Sequence, residues 1–413
     1  MIICKFGGTS VASVSGANSI KSILNANKNR KIVVVSALGK TENEKKVTDQ
    51  LYECFFIYLD NVEQAKVKFC NILQRYIDLA NKLNVTIDFS KYKKQILQLF
   101  DSGKIEKDFL VSRGEFFCAL LYAKYTTSIF LDAKDYIIFN KNGKFNYKCT
   151  KNKINKLSNS KRYVIGGFYG ATIDGKIKVF SRGGSDITGA IFAKALNAEV
   201  YENYTDVDGV FNKNPNVFEY AKKLNLLNYK TACQMADAGN EVVHKNALYM
   251  LKSSSTILQV KNTKGEGAFG TIFTHANLFF DDVYIAMANQ TLLILSQIND
   301  DILQKIKHMA EVKNVLMQGN KFYVFLSEVY GDCDYFLHIK NVENVISVCR
   351  FSVFSNLIIN KITLKKLKKI KKMAKKYAIL AKFLSFKNNF VIVCNLCVKQ
   401  KIVCIINNHL QNL

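Results

Sequence analysis

The sequence is poor in acidic residues, in proline and in long apolar runs. Against 59 Lys and Arg it sets 33 Asp and Glu, for a formal charge of +26, with Pro215 its single proline and no tryptophan. Lys and Asn are abundant throughout, so the excess charge reads as a drift of composition over every surface and not as a patch built to grip nucleic acid. The densest basic run, KITLKKLKKIKKMAKK at 361–376, spaces Ile362, Leu364, Leu367, Ile370 and Met373 mostly three residues apart. That spacing predicts an amphipathic helix with a solvated basic face. No apolar stretch approaches the ~18 residues of a membrane span before a Lys or Asn breaks it. The start also lacks a basic segment followed by an apolar one, so no signal peptide is expected. A cytoplasmic protein without membrane or nucleic-acid partners is the expectation.

Paired cysteines are missing too. The eleven cysteines are odd in number and scattered through apolar contexts such as Cys54, Cys70 and Cys118, which excludes a disulfide framework and predicts reduced, buried thiols. Cys394 and Cys397 match C-x-x-C, but they sit in the strand-like stretch VIVCNLCV with no second pair or nearby His to complete a metal site.

What is present is a foldable chain. Its 413 residues, 49% hydrophobic and 12% aromatic, suffice for two to three domains with their own cores. Apolar strand-like runs (Ile32–Val35, Ser128–Leu131, Tyr163–Ile165, Lys178–Phe180, Ala198–Tyr201, Ile257–Val260) alternate with helical periodicity at Ala65–Leu83 and Tyr92–Phe100. The alternation predicts an α/β layer fold with a mainly parallel sheet. Beyond about residue 281 the texture changes to short strands, ending with one at Ile402–Ile406, interrupted by helices near 300–310 and 362–377. Two small α+β modules, about 283–343 and 344–413, account for that pattern and follow a first domain of residues 1–275.

Glycines cluster at strand ends, where open α/β sheets place their ligands. KFGGTSV at 5–11 sets Lys5 and the bare backbones of Gly7 and Gly8 at the end of the first strand, and SRGGSD at 181–186 sets another glycine pair ahead of a predicted helix. Both suit a bound anion, and Arg182 adds a planar fork for a carboxylate. A single-loop nucleotide motif is excluded. Val34 stands where Val34–Thr41 would need its first glycine, and Gly170–Ile177 ends in a side chain that cannot reach a metal, its Asp174-Gly175 reading as a hairpin turn.

These segments, with VVVSALGKT at 33–41, SRGEFFCALL at 112–121, GGFYGAT at 166–172, YTDVDGVFNKNP at 204–215, MADAGNEVVH at 235–244 and VKNT…GT at 260–271, occur in the order and spacing of aspartate kinases. The chain resembles that family from residue 2 to about 273. The resemblance implies an amino-acid-kinase three-layer sandwich followed by ACT-like regulatory modules. It implies transfer of the γ-phosphoryl group of ATP, with Mg2+ carried on the nucleotide, to the β-carboxylate of L-aspartate. The product, 4-phospho-L-aspartate, opens lysine, threonine and methionine biosynthesis. By the same resemblance Lys5 and Asp186 are catalytic, while Thr48, Glu115, Arg182 and Ser185 hold aspartate. Lys5, Phe6, Gly7, Gly8, Ser36, Gly183, Gly184, Thr205, Asp206 and Phe211 meet ATP, and no protein side chain is assigned to metal. A homodimer or higher homo-oligomer through the ACT-like region is implied. His244 reads as a packed or hinge histidine.

The chain departs from the family where Asn216 replaces an arginine after the proline, Asn240-Glu241 replaces a small residue and lysine, and Lys245-Asn246 replaces Pro-Arg. Losing phosphate cations predicts an ATP requirement raised by roughly one to two decades, with Lys213 or Lys245 as candidate substitutes. The glycine-free turns at 297–301 and 356–360 predict a weak or absent response to lysine or threonine. Alternatives are a weakened relic or amino-acid-sensing subunit, or a kinase for another small carboxylate such as glutamate.

Overall fold

The computed structural model describes residues 1–42, 44–180, 183–218, 220–239, 242–265, 269–276, 283–309, 312–318, 320–327, 341–355, 361–374, 378–384, 389–395 and 399–410. Arg182, Asn240, Glu241, Cys397 and the 356–360 turn, all singled out from the sequence, lie outside the described residues. The chain divides into two compact units. One comprises Met1–Val210, Asn225–Ala232 and Val242–Ala276, and the other Phe211–Leu224, Cys233–Glu241 and Asn277–Leu413.

The strands before residue 275 are β1 (Ile2–Phe6), β2 (Arg30–Val35), β3 (Ile129–Leu131), β4 (Ile138–Phe139), β5 (Tyr163–Gly166), β6 (Tyr169–Thr172), β7 (Ile177–Val179), β8 (Val200–Thr205), β9 (Val210–Phe211), β10 (Lys223–Leu224), β11 (Leu226–Asn228), β12 (Ile257–Asn262) and β13 (Thr271–Thr274). Eight of them form one sheet in the order β11-β13-β12-β8-β1-β2-β5-β3. Its described pairings are parallel except β12 with β13. Ile3, Cys4, Phe6 and Val33–Val35 are fully buried, as strands covered on both faces must be. The Asp174-Gly175 turn joins β6 to antiparallel β7, with Gly175 at φ +88, where an L side chain would be strained.

Two helices tie the sheet to the segments that matter for function. Lys107–Tyr125 carries SRGEFF and buries residues from Leu110 to Ala123 on nearly every side, as a helix without a polar face has to. The helix Val62–Lys82 packs beside it, and the fully buried Tyr76 donates its hydroxyl to the Gly114 carbonyl (2.9 Å) while accepting from the Leu38 amide (3.4 Å). On the face of the sheet shared by β1, β2 and β8, Glu202 receives both Arg30 (Nε to Oε2, 2.6 Å) and Lys261 (Nζ to Oε1, 3.0 Å). Two cations satisfy one buried carboxylate, so burial is offset and its pKa lies below the usual range despite desolvation.

In the second unit, β14 (Val283–Leu295), β15 (Val312–Gln318), β16 (Lys321–Ser327), β17 (Val342–Ser355), β18 (Ala378–Leu384) and β19 (Asn389–Asn395) form an antiparallel sheet in the order β15-β16-β14-β17-β19-β18. The order is a mirror about the β14–β17 seam. Each half runs strand, helix, strand, strand, with helices at Asp300–Met309 and Lys361–Ala374. Leu293, Leu295, Ile302, Ile306, Val324 and Leu326 pack as one cluster in the first half, each contributing about 1.5–3 kcal/mol of apolar burial. In the basic helix, Lys368, Lys369, Lys371 and Lys372 are exposed while Ile370 and Ala374 are buried.

Two expectations are corrected. Ile402–Ile406 is not a strand but part of the helix Lys399–Leu410, because Ile402, Val403 and Ile406 are buried at helical spacing with Lys401 and Cys404 exposed between them. The thiols are free among the described residues but not all buried, since Cys149 and Cys404 sit on the solvent sides of helices.

Candidate active site

At the end of β1, the register sets Lys5 between Val34 of β2 and Asn203 of β8. Its ammonium lies 2.8 Å from Asp186 Oδ1, with both side chains only slightly exposed. Asp186 sits in the first turn of the helix Gly184–Ala195, where the helix dipole favours a carboxylate. The same Oδ1 accepts from Asn203 Nδ2 (3.2 Å), and Oδ2 accepts from the main-chain N–H of His244 (3.0 Å). Burial opposes the charge. The Lys5 ammonium and the donors at His244 and Asn203 outweigh it and hold the carboxyl below its ordinary range.

Glu115 has the reverse balance. Burial pushes its carboxyl up to about 7, although the amides of Ala37 and Glu115 and the charges of Lys46 and Arg113 pull downward. Its Oε2 and the hydroxyl of Thr48 are buried and take no partner among the described residues. Two orphaned polar groups in one place, a carboxylate oxygen that accepts and a hydroxyl that can donate, cost folding free energy unless a ligand brings a donor to the one and an acceptor to the other. An ammonium is such a donor.

The glycine pairs act through chain packing. A Cβ on Gly8 would come 2.9 Å from the Ala37 carbonyl oxygen and 3.0 Å from Gly39 Cα, so this residue is glycine because two backbones cross there. On Gly7 a Cβ would meet nothing nearer than 3.5 Å, with Lys5 Nζ at 3.7 Å, so bareness there leaves room over the ammonium. Gly183 has φ +75, and a Cβ on it would strike the His244 ring at 2.4 Å. His244 is buried and its Nδ1 accepts from Asn246 N (3.3 Å), capping the helix Lys245–Lys252 in keeping with a packed histidine.

These elements enclose a cavity of about 590 Å³. Of the residues expected at the site, Lys5, Gly7, Gly8, Ser36, Thr48 and Glu115 line it, as do Gly183, Gly184, Ser185, Asp186 and Thr205. Three expected residues do not. Phe6 is fully buried and stacked on Tyr204 at 4.8 Å between centroids, because strand alternation turns it to the face opposite Lys5. Asp206 is exposed past the end of β8, accepting from Thr205 Oγ1 at 3.2 Å, and does not line the cavity. Phe211 belongs to the second unit. Lys213, a candidate substitute cation, is buried and also lies in the second unit. Lining residues that the sequence reading missed include Lys40, Lys46, Asp49, Tyr52 and Phe168.

Residues 1–262 match the model of the Amino acid kinase family. The chain belongs to the amino acid kinase family. Within it, relatives are aspartokinases. Aspartokinase 3 of Bacillus subtilis is 32% identical over 286 residues, which are 66% of this chain and 63% of that protein. The chain therefore spans less than two thirds of the length of that relative. The aspartokinase of Rickettsia conorii is 26% identical over 353 residues, 81% of this chain and 75% of its own. Among solved structures, Clostridium acetobutylicum aspartate kinase aligns with a TM-score of 0.77 and 26% identity, covering 99% of this chain and 100% of that one. E. coli aspartokinase III in complex with aspartate and ADP shares the fold, with a TM-score of 0.81 at 20% identity and full coverage of both chains. The loops KFGGTSV and VVVSALGKT follow the parallel strands β1 and β2, Thr205 ends β8, and the GGSD turn and the helices carrying Thr48 and Glu115 close on them, so the cavity is joined by fold and not by sequence proximity. No described helix is long and apolar enough to cross a membrane.

Proposed function

We propose that this chain is an aspartate kinase, transferring the γ-phosphoryl group of ATP to the β-carboxylate of L-aspartate. One observation carries the proposal: a single cavity in which an ion-paired lysine and aspartate lie beside the unpartnered polar groups of Glu115 and Thr48. The aspartokinase relatives support aspartate as the acceptor.

In the proposed reaction an oxygen of the aspartate β-carboxylate attacks the γ-phosphorus as the bond to the β–γ bridging oxygen breaks and ADP leaves. The acceptor is already ionised at neutral pH, so no general base is required. Catalysis then consists of positioning and charge neutralisation. Lys5 turns its ammonium to the transferring oxygens, and Asp186 holds that ammonium at the strand end. Glu115 takes the substrate ammonium, and Thr48 and Ser185 fix its carboxylates together with Arg182. Gly7, Gly8, Ser36, Gly183, Gly184 and Thr205 provide the phosphate surface. Mg2+ carried by the nucleotide would offset charge on its phosphates. The donors suit such a hard cation, since Asp49 and Asp186 offer carboxylate oxygens at the cavity, while no described cluster of three His, Cys, Asp or Glu builds a dedicated cage. The mirrored second sheet is read as the ACT-like pair, through which two copies associate.

Aspartyl-hydroxamate formation from MgATP, aspartate and hydroxylamine tests the proposal. Product with aspartate and little with glutamate is expected. Absence of product at saturating ATP would remove it.

A further inference from the structure

A row of side chains crosses the sheet beneath the helix Gly184–Ala195. In register it runs Val260, Asn203, Lys5, Val34, Ile165. Its second and third members are polar and both reach the same atom, Asp186 Oδ1, at 3.2 Å from Asn203 Nδ2 and 2.8 Å from Lys5 Nζ. An ionised carboxylate only accepts, so the Asn203 amide must present its NH2 there, which leaves its Oδ1 without a partner among the described residues. Asn203 is 1% exposed. The orphaned oxygen carries a cost of the same order as the hydrogen bond that the NH2 donates to the charged Asp186, so the amide gains little net stability over a branched hydrocarbon of similar volume. Stability alone therefore does not explain this residue.

We infer that Asn203 is a positioning residue for the reaction, anchoring Asp186 so that Lys5 is free to turn to the phosphoryl group. At rest Lys5 and Asn203 share one oxygen of Asp186 and the His244 amide holds the other. When the ammonium moves towards a phosphate, Asp186 Oδ1 loses its strongest partner. The amide of Asn203, fixed on a central strand, keeps that oxygen bonded and the carboxylate ionised and in place. The remaining groups facing Asp186 are Tyr201 of β8, whose hydroxyl donates to the Asp186 carbonyl (3.3 Å), and His244 ahead of its helix. β2 offers Val34 in this row, and the helix Tyr147–Ile154 contributes its Tyr147 ring to Lys194, in the last turn. Among the described residues nothing else replaces the amide.

Because the inference presupposes the phosphotransfer proposed above, wild-type turnover is measured beside the variants. Asn203→Leu removes both the anchor and the orphaned oxygen. Its kcat is expected to fall about tenfold or more, with KM for aspartate within about twofold and an unfolding temperature close to wild type. A loss of kcat without a loss of stability is an outcome that a packing role cannot produce. A folded Asn203→Leu protein with wild-type kcat would overturn the inference. Should that variant not fold, Asn203→Ala is read by the same kcat and KM criteria. If the wild type forms no hydroxamate, the functional proposal fails by itself. Anchoring is then judged by acid unfolding, where the variant should lose stability at a higher pH than wild type, and coincident curves would refute it.

Discussion

Lys5 on the first strand and Asp186 on a helix 181 residues later close to 2.8 Å inside the cavity, the carboxylate held below its ordinary pKa. Its unfolded value is about 3.9, so the stability it contributes is present above that pH and is lost as pH falls through the lower folded value. Lys5→Ala leaves a buried carboxylate without its cation. That variant should be destabilised by about 3–5 kcal/mol and should unfold at a higher pH on the acid side, measured by thermal unfolding between pH 3 and 7.

Glu115 behaves with the opposite sign. Its folded value of about 7 exceeds an unfolded value of about 4.3, so ionisation costs stability that begins to be lost above the unfolded value and is fully lost above about pH 7. The cost is about 3–4 kcal/mol. Glu115→Gln should therefore unfold at a higher temperature than wild type at pH 8 and near the same temperature at pH 4. Its KM for aspartate should rise by at least about tenfold through loss of the ammonium partner, while wild-type KM should fall as pH rises through 7. A variant with unchanged KM would remove Glu115 from the substrate site.

The two glycines at the strand end should separate. Gly8→Ala forces a Cβ to 2.9 Å from a carbonyl oxygen and 3.0 Å from another backbone, so its unfolding temperature should drop by an amount corresponding to about 1–3 kcal/mol. Gly7→Ala meets only ordinary contacts, and its φ of −70 suits any residue. It should fold normally and raise the ATP KM, because its methyl sits 3.7 Å from the Lys5 ammonium.

Glu202, on the opposite face of the sheet, serves as a contrast. Glu202→Gln leaves Arg30 and Lys261 without a full negative charge in a buried setting, with an expected loss of about 3–5 kcal/mol. The kcat of the protein that remains folded should stay within about twofold of wild type, as steady-state kinetics at a permissive temperature would show. A selective loss of kcat would mean that this network reaches the chemistry.

Much of this was legible in the residues. β-branched runs such as Val33–Val35 have no other comfortable setting than a covered strand, and Lys5 and Ser36 meet because parallel strands end on one side of a sheet, with Thr48, Glu115 and Asp186 brought to them by helices. The misses have physical causes. Phe6 adjoins Lys5 in sequence, yet strand alternation sends it to the other face. Lys40 and Lys46 reach the cavity from a loop held by Arg75, which pairs with Glu44 and donates to the Gly39 (3.2 Å) and Lys45 (2.8 Å) carbonyls, a tether with no local signature. Asn203 looks like an ordinary polar member of ENYT until Asp186 is placed above it. Ile402, Val403 and Ile406 suit a strand by composition and a helix by spacing, and spacing won.

The most direct test of the central claim is hydroxamate formation with MgATP and aspartate by wild type and by Lys5→Met, which keeps the volume and removes the charge. Wild type should turn over, and the variant should lose about a hundredfold or more in kcat, about 3 kcal/mol of transition-state stabilisation. Equal kcat in the two proteins would contradict the account.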